Sequence, residues 1–393
     1  MSQQSQQRGP GPTVGPATAR APDGGPGTPP RVPQIGDFLP DFQLVNQRAA
    51  VTSLVNKLRG KPVLVIFYPD GDTPACQQQL RAFAEAHEAL AALAEIFVVS
   101  AEPPERNAQR ARNSALPFTY LLSDAAGQAA RAYGVTHNLG VPLDFTGHGA
   151  FTTFLADPNR RILRIDRDVT DPDHAAVVLA ALEAVPRPEG ELISRPAPVL
   201  YVPRVFDRET CQRLIRTYHE AGNIPSGVQR DKADGSGAEK IDPNFKLRRD
   251  HTVKDRELNA ELRDLIGRRV VPEIAKAFFY RVTNYEVFKI VCYDAETGGY
   301  FRTHRDNTTV SSAHRRFAMT INLNTGDYQG GALNFPEYGP DLYSPGVGDA
   351  VVFSCSVLHE ARPVTAGQRY ALLAFFYGAD AEALLKARPP NRR

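Results

Sequence analysis

The sequence predicts a two-domain α/β plus β protein. An α/β domain built on a central sheet comes first, and a β-rich domain of sandwich or jelly-roll type, with flanking helices, follows. Three observations predict this. The chain has 393 residues, more than one ordinary domain holds. In its first half, short apolar runs of strand character alternate with helical patterns. From Tyr285 onward, YEVFKIVCY, FAMTINLN, GALNFPEY, DAVVFS and YALLAFFYG follow one another, punctuated by Gly, Pro and Asp.

The elements follow in order. Residues 1–32 are dense in Pro, Gly, Gln and Ser, and bury too little apolar surface to offset ordering entropy, so they predict a disordered tail. Order is expected from about Gly36, in a first domain over 33–186. KPVLVIFYP (61–69) reads as a buried strand, residues 75–93 as a helix, and IFVVSA (96–101) as a second buried strand. FTYLLSD (118–124) is a further strand, FTTFLADPNRRILRI (151–165) a hairpin, and HAAVVLAALEAV (174–185) a helix. The Pro-rich stretch 187–199 is the linker.

The second domain is expected over 200–379, with a basic tail at 380–393. ETCQRLIRTYHEAG (209–222) is helical and ends at a Gly. Residues 224–252 are polar and lack periodicity, which predicts a long irregular segment and a candidate lid. Residues 256–279 are helical, with a break expected at Pro272.

Composition excludes some classes. A hydrophobic content of 42% and a charged content of 23% suit two globular cores. A net charge of +2 points to neither nucleic acid nor an anionic membrane surface. The four cysteines, Cys76, Cys211, Cys292 and Cys355, lack C-x-x-C spacing, which argues against a disulfide scaffold or structural zinc. With no transmembrane-length apolar run and no secretory signal pattern, the expected location is cytoplasmic.

YFRTHRD (300–306) places His304 and Asp306 two residues apart, where a strand turns both to one face. A facial metal site needs two imidazoles and one carboxylate. An isolated H-x-D is more often a polar strand face, so the third ligand decides. The β-rich region offers His314, in the loop-like SSAHRRF, and His359, after the buried run VVFSCSVL. That strand is expected to carry His359 to the opposite wall of a barrel. Arg369, ten residues beyond His359, comes just before the last strand. A buried Arg there needs a carboxylate, which an organic diacid supplies in bidentate form.

The set resembles the prolyl 4-hydroxylase branch of the Fe(II)/2-oxoglutarate dioxygenases. The resemblance rests on CYDAETGGYFRTHRDN (292–307), YQGGALNFPEYG (328–339), SPGVGDAVVFS (344–354) and HEARPVTAGQRYALLAFFY (359–377). It implies a double-stranded β-helix with His304, Asp306 and His359 as iron ligands. Arg369 is then the partner of the distal carboxylate of 2-oxoglutarate, and Tyr293 lines the co-substrate pocket. It further implies Fe(II), 2-oxoglutarate as co-substrate, ascorbate as an accessory reductant, and a peptidyl-proline or small-molecule substrate hydroxylated at carbon.

YPDGDTPACQQQL (68–80) sets Cys76 at a helix start, where main-chain amides favour the thiolate. Pro69, Thr73 and Cys76 match the P-x-x-x-T-x-x-C motif, and residues 34–185 resemble the peroxiredoxins and their thioredoxin-like fold. The resemblance implies that Cys76 attacks a peroxide and becomes a sulfenic acid. Two features depart from the family. Phe151 and Thr152 stand where its arginine is expected, and Gln79 replaces an acidic residue. No second cysteine lies in the domain, so an external thiol would have to reduce Cys76. The other cysteines read as core residues, and His87, His137, His148, His174, His219 and His251 show no metal-ligand spacing.

The expected function is therefore 2-oxoglutarate-dependent hydroxylation, with an antioxidant redoxin domain attached. The alternatives are a single-cysteine thiol peroxidase with an auxiliary metal-binding domain, or a sensor or binding module without catalysis.

Overall fold

The structure is a computed structural model that describes residues 31–68, 72–135, 151–186, 196–231 and 237–386. Most of the expected tail, most of the linker, Pro69, His137 and His148 lie outside these residues.

The first domain is a seven-stranded sheet of β1 (Gln43–Asn46), β2 (Val51–Ser53), β3 (Val63–Phe67), β4 (Glu95–Ser100), β5 (Tyr120–Ser123), β6 (Phe151–Ala156) and β7 (Ile162–Val169). The strand order is β2-β1-β5-β4-β3-β6-β7, with β3 parallel to β4 and antiparallel to β6. All five residues of β3 are buried. Its alternate residues feed two cores, Leu64 and Ile66 on one face, Val63, Val65 and Phe67 on the other. The sheet is therefore covered on both faces, by helices that include α1 (Leu54–Lys57), α2 (Pro74–Glu85), α3 (His87–Leu93), α4 (Pro104–Asn113), α5 (Gln128–Tyr133) and α6 (His174–Glu183).

The single helix expected over 75–93 is two, split at Ala86. Strands β1 and β2 and helices α4 and α5 were not foreseen. They are short or weakly apolar, and tertiary packing rather than periodicity forms them.

The second domain begins with β8 (Val199–Val202) and α7 (Arg208–Glu220). The segment expected to be irregular instead carries β9 (Ile224–Pro225), β10 (Val228–Asp231), β11 (Gly237–Lys240), β12 (Lys246–Leu247) and β13 (Arg249–Thr252). These strands are short and polar, so their pairing partners, not their own pattern, hold them. Next come α8 (Arg256–Arg269) and α9 (Val271–Phe278), with Pro272 in the first turn of α9, the position that needs no N–H.

The β-rich part supplies β14 (Asn284–Tyr285), β15 (Lys289–Asp294), β16 (Tyr300–His304), β17 (Phe317–Asn322), β18 (Gln329–Gly330), β19 (Leu333–Asn334) and β20 (Leu342–Tyr343). It ends with β21 (Ala350–Ser354), β22 (His359–Ala361), β23 (Val364–Ala366) and β24 (Gln368–Tyr377). Helix α10 (Ala379–Lys386) occupies the first part of the expected basic tail.

Two sheets face one another. The larger runs β8-β21-β17-β24-β15-β13-β9, with β14 paired to β24, and the smaller runs β12-β16-β22-β19-β20. They form a jelly-roll sandwich rather than a closed barrel. On β15, Ile290 and Cys292 point into the core beneath the helices, while Val291 and Tyr293 point between the sheets.

The domains meet through buried charge. Arg161 of β7, fully buried, donates to Glu273 of α9 at 3.0 Å and to the Arg269 carbonyl at 2.7 Å. Arg269 in turn pairs with Asp37 at 2.9 Å.

Candidate metal centre and thiol site

His304 ends β16 and His359 opens β22, and the two are direct partners across the antiparallel pair. Opposed residues project to the same face, so the imidazoles meet with ring centroids 4.3 Å apart. This corrects the expectation that His359 reaches the opposite wall. It stands beside His304 on the smaller sheet, and Arg369 occupies the larger one.

Asp306 follows the strand, and its N–H donates to the Cys355 carbonyl at 3.0 Å. Its carboxylate lies 3.4 Å from His304 Nε2 and 3.3 Å from His359 Nε2. The three ligand atoms all fall within 4.8 Å of one another. His304 Nδ1 lies 2.7 Å from the Arg302 carbonyl, and His359 Nδ1 lies 3.0 Å from the Val357 carbonyl. A carbonyl only accepts, so each Nδ1 carries the proton and each Nε2 lone pair faces the carboxylate.

Burial pushes the Asp306 carboxyl up, but His359, His304 and Arg315 outweigh it and hold the group below the usual carboxylate range. Burial also pushes His359 down to about 4. A neutral imidazole and an ionised carboxylate are the forms that bind metal.

The sequence reading missed the support behind this trio. Arg315 donates to the Asp306 carbonyl at 3.3 Å and forks onto Glu286 at 2.7 and 2.8 Å, with its Cζ 3.8 Å from the centroid of the Phe375 ring. His314, expected in a loop, is in a buried turn with Nε2 2.8 Å from Glu286. Burial raises the Glu286 carboxyl, yet His314 and Arg315 bring it down to about 2. SSAHRRF advertised the cations, but nothing local marked Glu286 as their partner.

Arg369 lies on β24 directly opposite Tyr293 of β15, so both side chains enter the space between the sheets. Arg369 is 3% exposed, donates from Nη2 to Asn322 at 2.9 Å, and sits 5.3 Å from the centroid of the Tyr293 ring. Its Nε has no partner, and among the described residues no carboxylate pairs with it. Thr320 Oγ1, also buried, is likewise unpartnered. Gly331, at φ +67°, makes room, because a Cβ there would meet Arg369 Cδ at 2.9 Å.

A cavity of about 590 Å³ joins these groups, reaching the trio, Arg369, Tyr293 and Thr320. Its buried, unsatisfied donors suit a small acid, and its trio suits a divalent metal with open positions.

In the first domain, Thr73 caps α2, its Oγ1 accepting from the Cys76 N–H at 3.3 Å, with Pro74 beginning the helix. Cys76 is fully buried, in a core shared with Tyr68, Phe83 and Phe151. Phe151 stacks on Phe83 at 6.0 Å and on Tyr68 at 6.2 Å, an apolar filling where the resemblance called for arginine. Gln79 donates to the Val169 carbonyl at 2.9 Å, while its Oε1 is buried without a partner. Pro69, the other motif residue, lies outside the described residues.

Comparison with known proteins agrees domain by domain. Residues 35–165 match the AhpC/TSA family, and residues 288–377 match the 2OG-Fe(II) oxygenase superfamily. Chloroplastic peroxiredoxin Q of Populus jackii is 38% identical over 105 residues, 26% of this chain and 48% of that protein. Peroxiredoxin Bcp of Bacillus subtilis is 28% identical over 153 residues, 38% of this chain and 95% of that protein. The chain spans about half the length of the first of these relatives, a span of 48%.

Among solved structures, peroxidoxin BcpB of Mycobacterium tuberculosis is similar with 29% identity and a TM-score of 0.35, covering 39% of this chain and 98% of that one. A Pseudomonas putida prolyl-4-hydroxylase is similar with 17% identity and a TM-score of 0.36, covering 46% and 93%. The chain thus joins an AhpC/TSA-family peroxiredoxin domain on its N-terminal side to a 2OG-Fe(II) oxygenase superfamily domain on its C-terminal side.

Proposed function

We propose that the C-terminal domain hydroxylates a substrate carbon in an Fe(II)- and 2-oxoglutarate-dependent reaction. A peptidyl-proline or a small molecule is the substrate, and ascorbate serves as accessory reductant. The observation that carries this reading is Arg369, a buried guanidinium without a carboxylate, in the same cavity as the two imidazoles and Asp306.

His304, Asp306 and His359 would hold the metal through Nε2, a carboxylate oxygen and Nε2. Bound iron supplies the O₂ chemistry: one oxygen atom enters the substrate C–H bond, and the other joins the keto carbon as 2-oxoglutarate becomes succinate and CO₂. Arg369 receives the distal carboxylate, Tyr293 lines its path, and Arg315 keeps the Asp306 segment in place. Leu333, Phe353, Leu373 and Phe375 line the cavity and exclude water, which strengthens every charge interaction inside it.

The test is 2-oxoglutarate-dependent succinate formation by iron-loaded protein, with 2-oxoglutarate binding measured alongside. Succinate that disappears in His304→Ala supports the reading. A wild-type protein that neither forms succinate nor binds 2-oxoglutarate overturns it and favours the sensor or binding-module alternative. Adding ascorbate is expected to lengthen turnover.

A second activity rests on the Thr73 cap at the Cys76 N–H. The first domain would reduce peroxides through Cys76, regenerated by an external thiol. Cys76→Ser should then abolish thiol-dependent peroxide consumption.

A further inference from the structure

We propose that Asn322 sets the preference of this site for a 2-oxo diacid, by aiming the Arg369 guanidinium while leaving its charge for the co-substrate. This rests on the hydroxylase reading and deepens its co-substrate site. Asn322 acts there through Arg369, as a positioning residue.

Strand register brings the two together. Asn322 ends β17 and pairs directly with Ala371 of β24. Arg369 is two residues from Ala371, so the Arg369, Ala371 and Asn322 side chains share one face of the larger sheet. Ala318 and Ala371 belong to the apolar cluster between the sheets, so that face looks toward the cavity. Thr320 stands on it too and lines the cavity, whereas Asn322 is 1% exposed and reaches the cavity through Arg369.

The Asn322 amide can point only one way. Nδ2 lies 3.3 Å from the Pro345 carbonyl, which only accepts. It also lies 3.1 Å from Thr325 Oγ1, whose own proton goes to that carbonyl at 2.8 Å, so the hydroxyl accepts as well. The Tyr328 hydroxyl completes this side at 3.0 Å. The NH₂ group therefore faces that wall, and Oδ1 accepts from Arg369 Nη2 at 2.9 Å.

A second asparagine fixes the main chain on either side of Arg369. Asn324 donates from Nδ2 to the Gln368 carbonyl at 2.8 Å, and its Oδ1 accepts from the Tyr370 N–H at 2.9 Å. The stretch NLN (322–324) thus holds Arg369 by side chain and by backbone.

What Asn322 withholds is charge. An aspartate of the same shape would set a carboxylate oxygen where Oδ1 stands, and the buried guanidinium would pair with it. The site would then be neutral before any ligand arrived. With an amide in that place, Arg369 keeps its charge and an unpartnered Nε, and an incoming carboxylate is the group that satisfies both. A 2-oxo acid with an uncharged tail leaves the cation buried without a counter-charge. Selection for the diacid therefore depends on the neutral Asn322 amide as well as on Arg369.

The test is calorimetric titration of the full, Mn(II)-loaded chain with 2-oxoglutarate and with 2-oxopentanoate, which carries a methyl group in place of the distal carboxylate. Wild type should prefer 2-oxoglutarate by about tenfold or more. Asn322→Asp should remove most of that preference, weakening 2-oxoglutarate about tenfold and leaving 2-oxopentanoate within about threefold of wild type. Asn322→Ala removes the aim without adding a charge and should cut the preference by less. A melting curve accompanies each variant, and if the aspartate variant does not fold, the alanine variant decides.

A folded Asn322→Asp protein with the wild-type preference overturns the proposal, and so does an undiminished preference in Asn322→Ala. An equal fall for both acids also overturns it, because a residue that only supports the fold would act that way. A wild type that binds the two acids equally does the same, since it has no preference to set. If the wild type binds neither acid, the hydroxylase reading has failed. If it prefers 2-oxoglutarate and both variants keep that preference, only this proposal has failed.

Discussion

His304 and His359 face each other on adjacent antiparallel strands with their rings 4.3 Å apart, and a main-chain carbonyl orients each ring through Nδ1. Neither imidazole has to reorganise to receive a metal.

Because the trio is preorganised, a divalent metal should raise the melting temperature of the wild type. At a free concentration one hundred times Kd, linkage gives about 2.7 kcal/mol of added stability. Mn(II) titration followed by melting reads this directly. Asp306→Ala should lose the shift, and an undiminished shift would place the metal elsewhere.

Arg369→Ala should weaken 2-oxoglutarate binding by roughly 10- to 100-fold, since a charge-assisted bond to a carboxylate contributes about 1.5–3 kcal/mol. Arg369→Lys should fall between, because an ammonium keeps the charge but loses the fork. Equal affinity in all three proteins would show that Arg369 does not meet the co-substrate.

Glu286 titrates at about 2 in the folded state, below the ordinary 4.5, because His314 and Arg315 outweigh its burial. A depressed carboxylate pKa stabilises the fold at pH values above the unfolded value. That contribution is lost as pH falls from about 4.5 towards 2, and its ceiling is about 3 kcal/mol. Denaturant unfolding between those pH values should show the slope, and Glu286→Gln should flatten it.

Glu273→Ala leaves the fully buried Arg161 guanidinium without its carboxylate and should destabilise the protein by about 3–5 kcal/mol. Chemical denaturation checks the magnitude. The same contact makes deleting the first domain a poor test of its role, because Glu273 and Arg269 would lose buried partners. Cys76→Ser isolates the thiol without disturbing that interface. It should abolish peroxide consumption while leaving succinate formation intact, and retained peroxide consumption would assign that activity elsewhere.

Much of this was legible in the chain because it is local. The buried run VLVIF announced β3, and Pro272 announced the break between α8 and α9. His304 and Asp306 could be paired on paper by their H-x-D spacing, although Asp306 lies in the turn after β16 and not on the strand where that spacing put it. The segment 224–252 misled, because its short polar strands acquire their conformation from partners such as β15 and β16. Glu286 was invisible for the same reason, since its partner Arg315 arrives from 29 residues away.

The sequence by itself determined the order of the two domains through its periodicity, and its family resemblances singled out the trio and the candidate thiol. Only the tertiary structure decided which sheet carries His359, and that Arg161 and Glu273 bury each other between domains. It also decided that Lys246, Arg248 and Lys289 share one cavity with Arg369. Those outcomes depend on packing between segments far apart in the chain and, for His359, on strand register, where a shift of one residue would turn the side chain to the other face.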